Sequence, residues 1–153
     1  MVTFHSEGIK FNLKNKTRLK SWITSTIVKK KRKAGDITFI FCSDEFLLEM
    51  NKQYLDHDTY TDIITFDYSM ENDAKIKSPL PPLKRGNISG EIYISVDRVK
   101  ENSKKFSKTF EDELHRVIIH GVLHLLGHGD KTKAAKEEMR KQEDLCLKAL
   151  SKL

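Results

Sequence analysis

Two histidines and an aspartate in the stretch HGVLHLLGHGD, residues 120–130, carry the spacing of a metal site. His120 and His124 lie four positions apart in a segment with helical periodicity. At about 100° per residue that spacing sets both imidazoles on one face, one turn apart. Gly127 tolerates the left-handed backbone that ends a helix. Asp130 follows, and a chain turning back at Gly127 can return its carboxylate to the histidine face. Two imidazoles and one oxygen ligand, with a fourth position open to water, make a catalytic zinc site. The pattern matches H-x-x-x-H-x-x-G-x-x-ligand, the frame of one metalloprotease class. His128 competes with Asp130 for the third position, and Asp130 fits the frame better. A protease of this class has Glu directly after the first histidine, as base for the bound water. That position is Gly121 here, so peptide hydrolysis is disfavoured.

The element that must position these groups is a helix. Thr109 and Asp112 form a capping-box pattern, and Glu111, Asp112 and Glu113 sit where the helix dipole favours negative charge. Leu114, Val117, Ile118, Val122 and Leu125 form an apolar face, widened by Ile119, Leu123 and Leu126. A helix apolar over most of its circumference is buried. Its narrow polar stripe is Glu113, Arg116, His120 and His124, and polar groups on a buried helix need partners. A metal would serve the two histidines.

Around this helix the chain reads as one mixed α/β domain, residues 1–153, with four strands and about five helices in a single sheet layer. Residues 2–6 alternate as a first strand, with His5 on the surface. Leu19, Trp22, Ile23 and Ile27 mark a helix over residues 16–33, with Trp22 as core. It ends in the run KKKRK, residues 29–33, a solvated helix end or a phosphate-contacting patch. Ala34 and Gly35 break the pattern before a strand at DITFIFC, residues 36–42. Ser43 caps a helix with Phe46, Leu47, Met50 and Tyr54 inward. LDHDTY is a polar loop in which His57 and Asp58 are solvated. TDIITFDY, residues 61–68, is a strand, and so is GEIYIS, residues 90–95. Between them, residues 69–87 hold Pro79, Pro81 and Pro82 with Lys75, Lys77, Lys84 and Arg85, a long basic loop of a kind often functional. A helix over residues 96–106 leads to the metal helix. A last one, residues 132–150, turns Ala135, Met139, Leu145, Cys146 and Ala149 inward.

Composition adds bounds. The net charge of +6 favours a polyanionic partner such as nucleic acid. Cys42 and Cys146 have no metal spacing and read as free thiols in a reducing compartment. There is no signal-peptide pattern and no apolar run of membrane length, so a cytoplasmic location is expected.

Three stretches resemble the YbeY family of bacterial zinc-dependent endoribonucleases. HGVLHLLGHGD is similar to the family's HGxLHLxGYDH. NKQYLDHDTYTDIITF, residues 51–66, resembles N-x-x-Y-R-x-K-D-x-P-T-D-V-L-S-F, and SGEIYIS resembles G-D-I-x-I-S. The resemblance implies one zinc ion per chain and cleavage of single-stranded RNA. It also implies a role in maturing the end of small-subunit ribosomal RNA and in ribosome quality control, with the small ribosomal subunit and ribosome-associated proteins as partners. Two positions depart from the pattern. The family's third histidine ligand falls at Asp130, which can coordinate zinc but adds a negative charge. The family's arginine after the tyrosine is Leu55. Arg116 and Lys131 are candidates to replace it, although an internal Arg116–Glu113 pair is the plainer reading of Arg116. Zinc held by His120, His124 and Asp130 would acidify a water, and basic residues of the 29–33 run with Lys84 and Arg85 would hold phosphates. The nucleophile would be either the metal hydroxide or the substrate's own 2′-hydroxyl. Two other classes fit less well: a ribosome-assembly factor that binds RNA around a structural zinc without cutting, and another zinc hydrolase such as a protease.

Overall fold

The computed structural model describes residues 1–55, 59–69 and 87–153. His57 and Asp58 lie outside the described residues, as does the expected basic loop apart from Ser69 and Asn87 at its ends. The described chain runs β1 (Val2–Ser6), α1 (Lys16–Lys29), β2 (Lys33–Cys42), α2 (Asp44–Leu55), β3 (Ile63–Asp67), β4 (Asn87–Ser95), α3 (Val96–Lys105), α4 (Phe110–Leu125) and α5 (Lys133–Ser151). The strands form one sheet in the order β1-β2-β4-β3. β1, β2 and β4 are parallel, and β3 runs antiparallel to β4 along the sheet edge. This is the mixed α/β sheet expected from the strand and helix patterns.

Strand alternation divides the apolar residues between two faces. Ile37, Phe39 and Phe41 of β2, with Ile88, Ile92 and Ile94 of β4, enter the main core. There they meet Leu19, Trp22, Ile23 and Ile27 of α1 and the apolar face of α4. Cys42, Ile64, Phe66 and Tyr93 turn to the other face, which Leu47, Phe46 and Met50 of α2 cover. Trp22 is core as expected, and its Nε1 donates to the Cys146 carbonyl of α5 at 2.8 Å.

α4 lies close on the sheet because two glycines let it. A Cβ on Gly121 would stand 2.9 Å from Ile92 Cγ2 and 3.0 Å from Ile63 Cδ1. A Cβ on Gly90 would meet Leu125 Cδ2 at 3.0 Å. The last turn of α4 therefore rests on the first half of β4.

Several boundaries differ from expectation, each for a local reason. β2 starts at Lys33, before Ala34 and Gly35 rather than after them. Its register shifts between Ala34 and Ile37, and a Cβ on Gly35 would lie 2.3 Å from Ser89 Oγ. The glycine serves a bulge and a close strand approach, so it does not stop the strand. α1 ends at Lys29, where Lys31 N–H donates to Val28 and Arg32 N–H donates to Ile27. This is a Schellman cap with Lys31 at φ 60° in the place glycine usually takes. Tyr54 is 60% exposed and Leu145 is 54% exposed, so neither faces the core. The inward stripe of α5 is Met139, Glu143, Cys146 and Leu150.

Candidate metal centre

α4 begins as its sequence dictates: Thr109 Oγ1 accepts the Asp112 N–H at 3.1 Å. It ends in a second Schellman cap. Gly127 N–H donates to the His124 carbonyl and His128 N–H to that of Leu123, both at 3.0 Å, with Gly127 at φ 100°. The turn brings Asp130 back to the histidine face. His120 Nε2 lies 2.9 Å from His124 Nε2. Asp130 Oδ2 lies 3.5 Å from His120 Nε2 and 3.4 Å from His124 Nε2. Ligand atoms of a tetrahedral zinc with bonds of about 2.0–2.1 Å are spaced about 3.3–3.4 Å apart. The two carboxylate spacings match and the nitrogen pair is tighter by about 0.4 Å, so the three groups could hold a metal ion by donor chemistry and lie close to its ligand spacing.

The orientation of His120 has a visible cause. Its Nδ1 and Glu143 Oε2 are 2.6 Å apart. An ionised carboxylate only accepts, so Nδ1 carries the proton and Nε2 keeps its lone pair toward the site. Arg116 holds Glu143 from the other side, donating to its Oε1 at 2.8 Å and to Asp144 Oδ1 at 2.6 Å. Burial opposes charge on His120, but the Glu143 hydrogen bond and the Glu143 and Asp62 carboxylates outweigh it and raise the imidazole. Burial likewise opposes charge on Glu143, and its bonds from His120 and Arg116 overcome that and lower it. His124 is pushed down by burial and by the charge of His120.

The three groups open on a cleft of roughly 590 Å³ whose other wall is β3 and its approach, including Asp62, Ile63, Thr65 and Asp67. Burial raises the Asp62 carboxyl, and His120 opposes that shift. Lys131 lines the cleft beside Asp130, and so does Leu55, 44% exposed where the family pattern has arginine. Arg116 does not line it. Its ion partners are Glu143 and Asp144 of α5 rather than the expected Glu113. The His128 ring is half-buried away from the cleft, lowered by burial and by nearby Lys30.

Among site residues, Glu143 went unanticipated from sequence. Its signal was an acid on the inward stripe of α5, between Met139 and Cys146. Asp62 and Thr65 were unassigned too, although both lie inside the TDIITF motif.

A sequence profile described as endoribonuclease YbeY matches residues 2–151. The chain belongs to the YbeY endoribonuclease family. It is 44% identical over 146 residues to the endoribonuclease YbeY of Cytophaga hutchinsonii, covering 95% of this chain and 93% of that one. The Flavobacterium psychrophilum relative is 44% identical over 148 residues, covering 97% and 95%. That of Bacteroides fragilis is 42% identical over 146 residues, covering 95% of each. A solution structure of a Thermotoga maritima protein superposes with a TM-score of 0.57 at 28% identity, covering 99% of this chain and 93% of that one. Among the described residues, no helix is long and apolar enough to cross a membrane.

Proposed function

We propose that this chain is a zinc-dependent single-strand endoribonuclease that matures the end of small-subunit ribosomal RNA and takes part in ribosome quality control in the cytoplasm. The whole chain, residues 1–153, acts as one domain. The observation that carries the reading is the convergence of His120, His124 and Asp130 within 4.8 Å of one another, on a family whose relatives are named endoribonucleases. Bound there, zinc supplies Lewis acidity toward a water and a phosphoryl oxygen.

The chain's own residues divide the remaining work. Glu143 fixes the His120 tautomer, and Arg116 keeps Glu143 ionised, so Arg116 is a positioning residue. Lys131 offsets the charge of a scissile phosphate. It takes over part of what Leu55 cannot do. The basic run at residues 29–33 gives the RNA backbone a second hold. Lys33 pairs with Asn87 at the start of β4, the end of the sheet where α4 and its metal turn finish. Lys30 Nζ donates to Gln142 Oε1 at 2.7 Å, next to Glu143. Gly121 faces Ile92 and Ile63 with no room for a Cβ. The protease base has no place on this helix, which argues against peptide hydrolysis.

Purified protein freed of contaminating nuclease should cut single-stranded RNA, lose that activity to a chelator and regain it with zinc. His124→Ala should reduce cleavage at least about a hundredfold, the loss expected of a metal-ligand removal. Cleavage by the variant at the parent rate would overturn the reading. So would RNA binding without cleavage by the zinc-loaded protein, the behaviour of an assembly factor with a structural metal.

A further inference from the structure

We propose that Thr65 is a substrate-contacting residue whose hydroxyl reads a ribose 2′-hydroxyl of RNA lying across the metal centre. The inference rests on the functional reading above and adds to it the group that distinguishes RNA from DNA. β3 is the edge strand, and Thr65 pairs with Ile92 of β4. Ile92 is one of the side chains against which Gly121 of α4 rests. Directly paired residues share a face, so Thr65 stands on the α4 side of the sheet. It lines the same cleft as His120, His124 and Asp130. Its Oγ1 is buried and makes no hydrogen bond among the described residues. A buried hydroxyl without a partner is costly and uncommon in native interiors. Valine would fill the same volume without that cost.

A staggered step about χ1 carries the threonine hydroxyl to another rotamer. Because Thr65 lines the cleft, a group bound there completes the hydrogen bonding of Oγ1 in the proposed complex. The neighbours select the group. Asp62 and Asp67 flank Thr65 on this wall, while Lys131 stands beside Asp130. A wall with two carboxylates repels phosphate and accepts from hydroxyls. A 2′-hydroxyl both donates and accepts, as the threonine hydroxyl does, and it is the feature by which proteins tell RNA from DNA.

The test is displacement of a fluorescent single-stranded DNA probe from zinc-loaded protein by unlabelled RNA or DNA of one sequence, both carrying phosphorothioate linkages that resist cleavage, with the RNA checked to be intact at the end. The parent protein should prefer RNA by about five- to tenfold, the weight of one net hydrogen bond. Thr65→Val should remove most of that preference, leave DNA binding unchanged and melt no lower than the parent. Thr65→Ser should keep the preference. An unchanged RNA preference in Thr65→Val overturns the proposal, and so does equal weakening of RNA and DNA, the mark of a structural role. Intact RNA preference in a parent protein that cuts no RNA would count against the nuclease reading alone.

Discussion

At His120 the two ring nitrogens have separate tasks. Nδ1 is held by Glu143 at 2.6 Å, and Nε2 turns to His124 and Asp130. Loss of a carboxylate that orients a ligating imidazole typically costs about 10–100-fold in metal affinity. Glu143→Gln should weaken zinc binding by that factor, read by competition with a chromogenic chelator, with the fold intact. The same pair sets the pH response of metal-free protein. His120 is raised above its ordinary 6.5, so its contribution is complete below 6.5 and is lost as pH rises through the raised value. Glu143 is lowered below its ordinary 4.5, so its contribution is complete above 4.5 and is lost as pH falls through the lowered value. The pair's own contribution is therefore greatest between about pH 4.5 and 6.5, and the melting-temperature difference between metal-free parent and Glu143→Gln should be widest there and narrow on either side. A difference that stays constant from pH 4 to pH 9 would contradict this. The three candidate metal ligands were legible in the sequence because helical spacing and a glycine turn are local signals. Glu143 was not, because its role depends on how α5 packs on α4.

The elements set how close these residues come. α4 can bring His120 and His124 to the cleft because Gly121 lets it settle on Ile92 and Ile63. Gly121→Ala places a methyl about 3 Å from both and should cost about 1–3 kcal/mol, the usual range for overpacking. A denaturant midpoint equal to the parent's would show that the helix can lift freely. The cap of α1 makes the opposite case. Lys31 holds a left-handed backbone that disfavours side-chain-bearing residues by roughly 1 kcal/mol. Lys31→Gly should therefore raise stability by a similar amount while weakening RNA binding. A lower denaturant midpoint in the variant would contradict this reading of the cap. Helix and strand existence was legible from periodicity and capping residues. The boundaries at Gly35 and Lys31 were not, because a bulge and a lysine cap follow from strand pairing and chain reversal rather than from local preference.

Over the whole molecule, the net charge of +6 and the basic run suit a polyanion, while the cleft wall of β3 is acidic. The proposed division places backbone phosphates on the lysines and the reacting nucleotide between β3 and the metal ligands. Replacing Lys29, Lys31 and Lys33 together by alanine should reduce the salt slope of single-stranded RNA binding by about two, at about 0.7 for each phosphate no longer neutralised. An unchanged slope would place the RNA elsewhere. The four-stranded mixed sheet was legible because the strand patterns and the family motifs agree in order. The direct link from Arg116 through Glu143 to His120 was not, because it joins residues more than twenty positions apart.

The proposed chemistry depends on one divalent ion held between His120, His124 and Asp130. Elemental analysis of protein purified without added metal, then titrated with zinc, tests this most directly. It should give one zinc per chain for the parent and for His128→Ala, and far less for His124→Ala and Asp130→Ala. A folded parent protein that neither carries nor takes up a stoichiometric ion would contradict it.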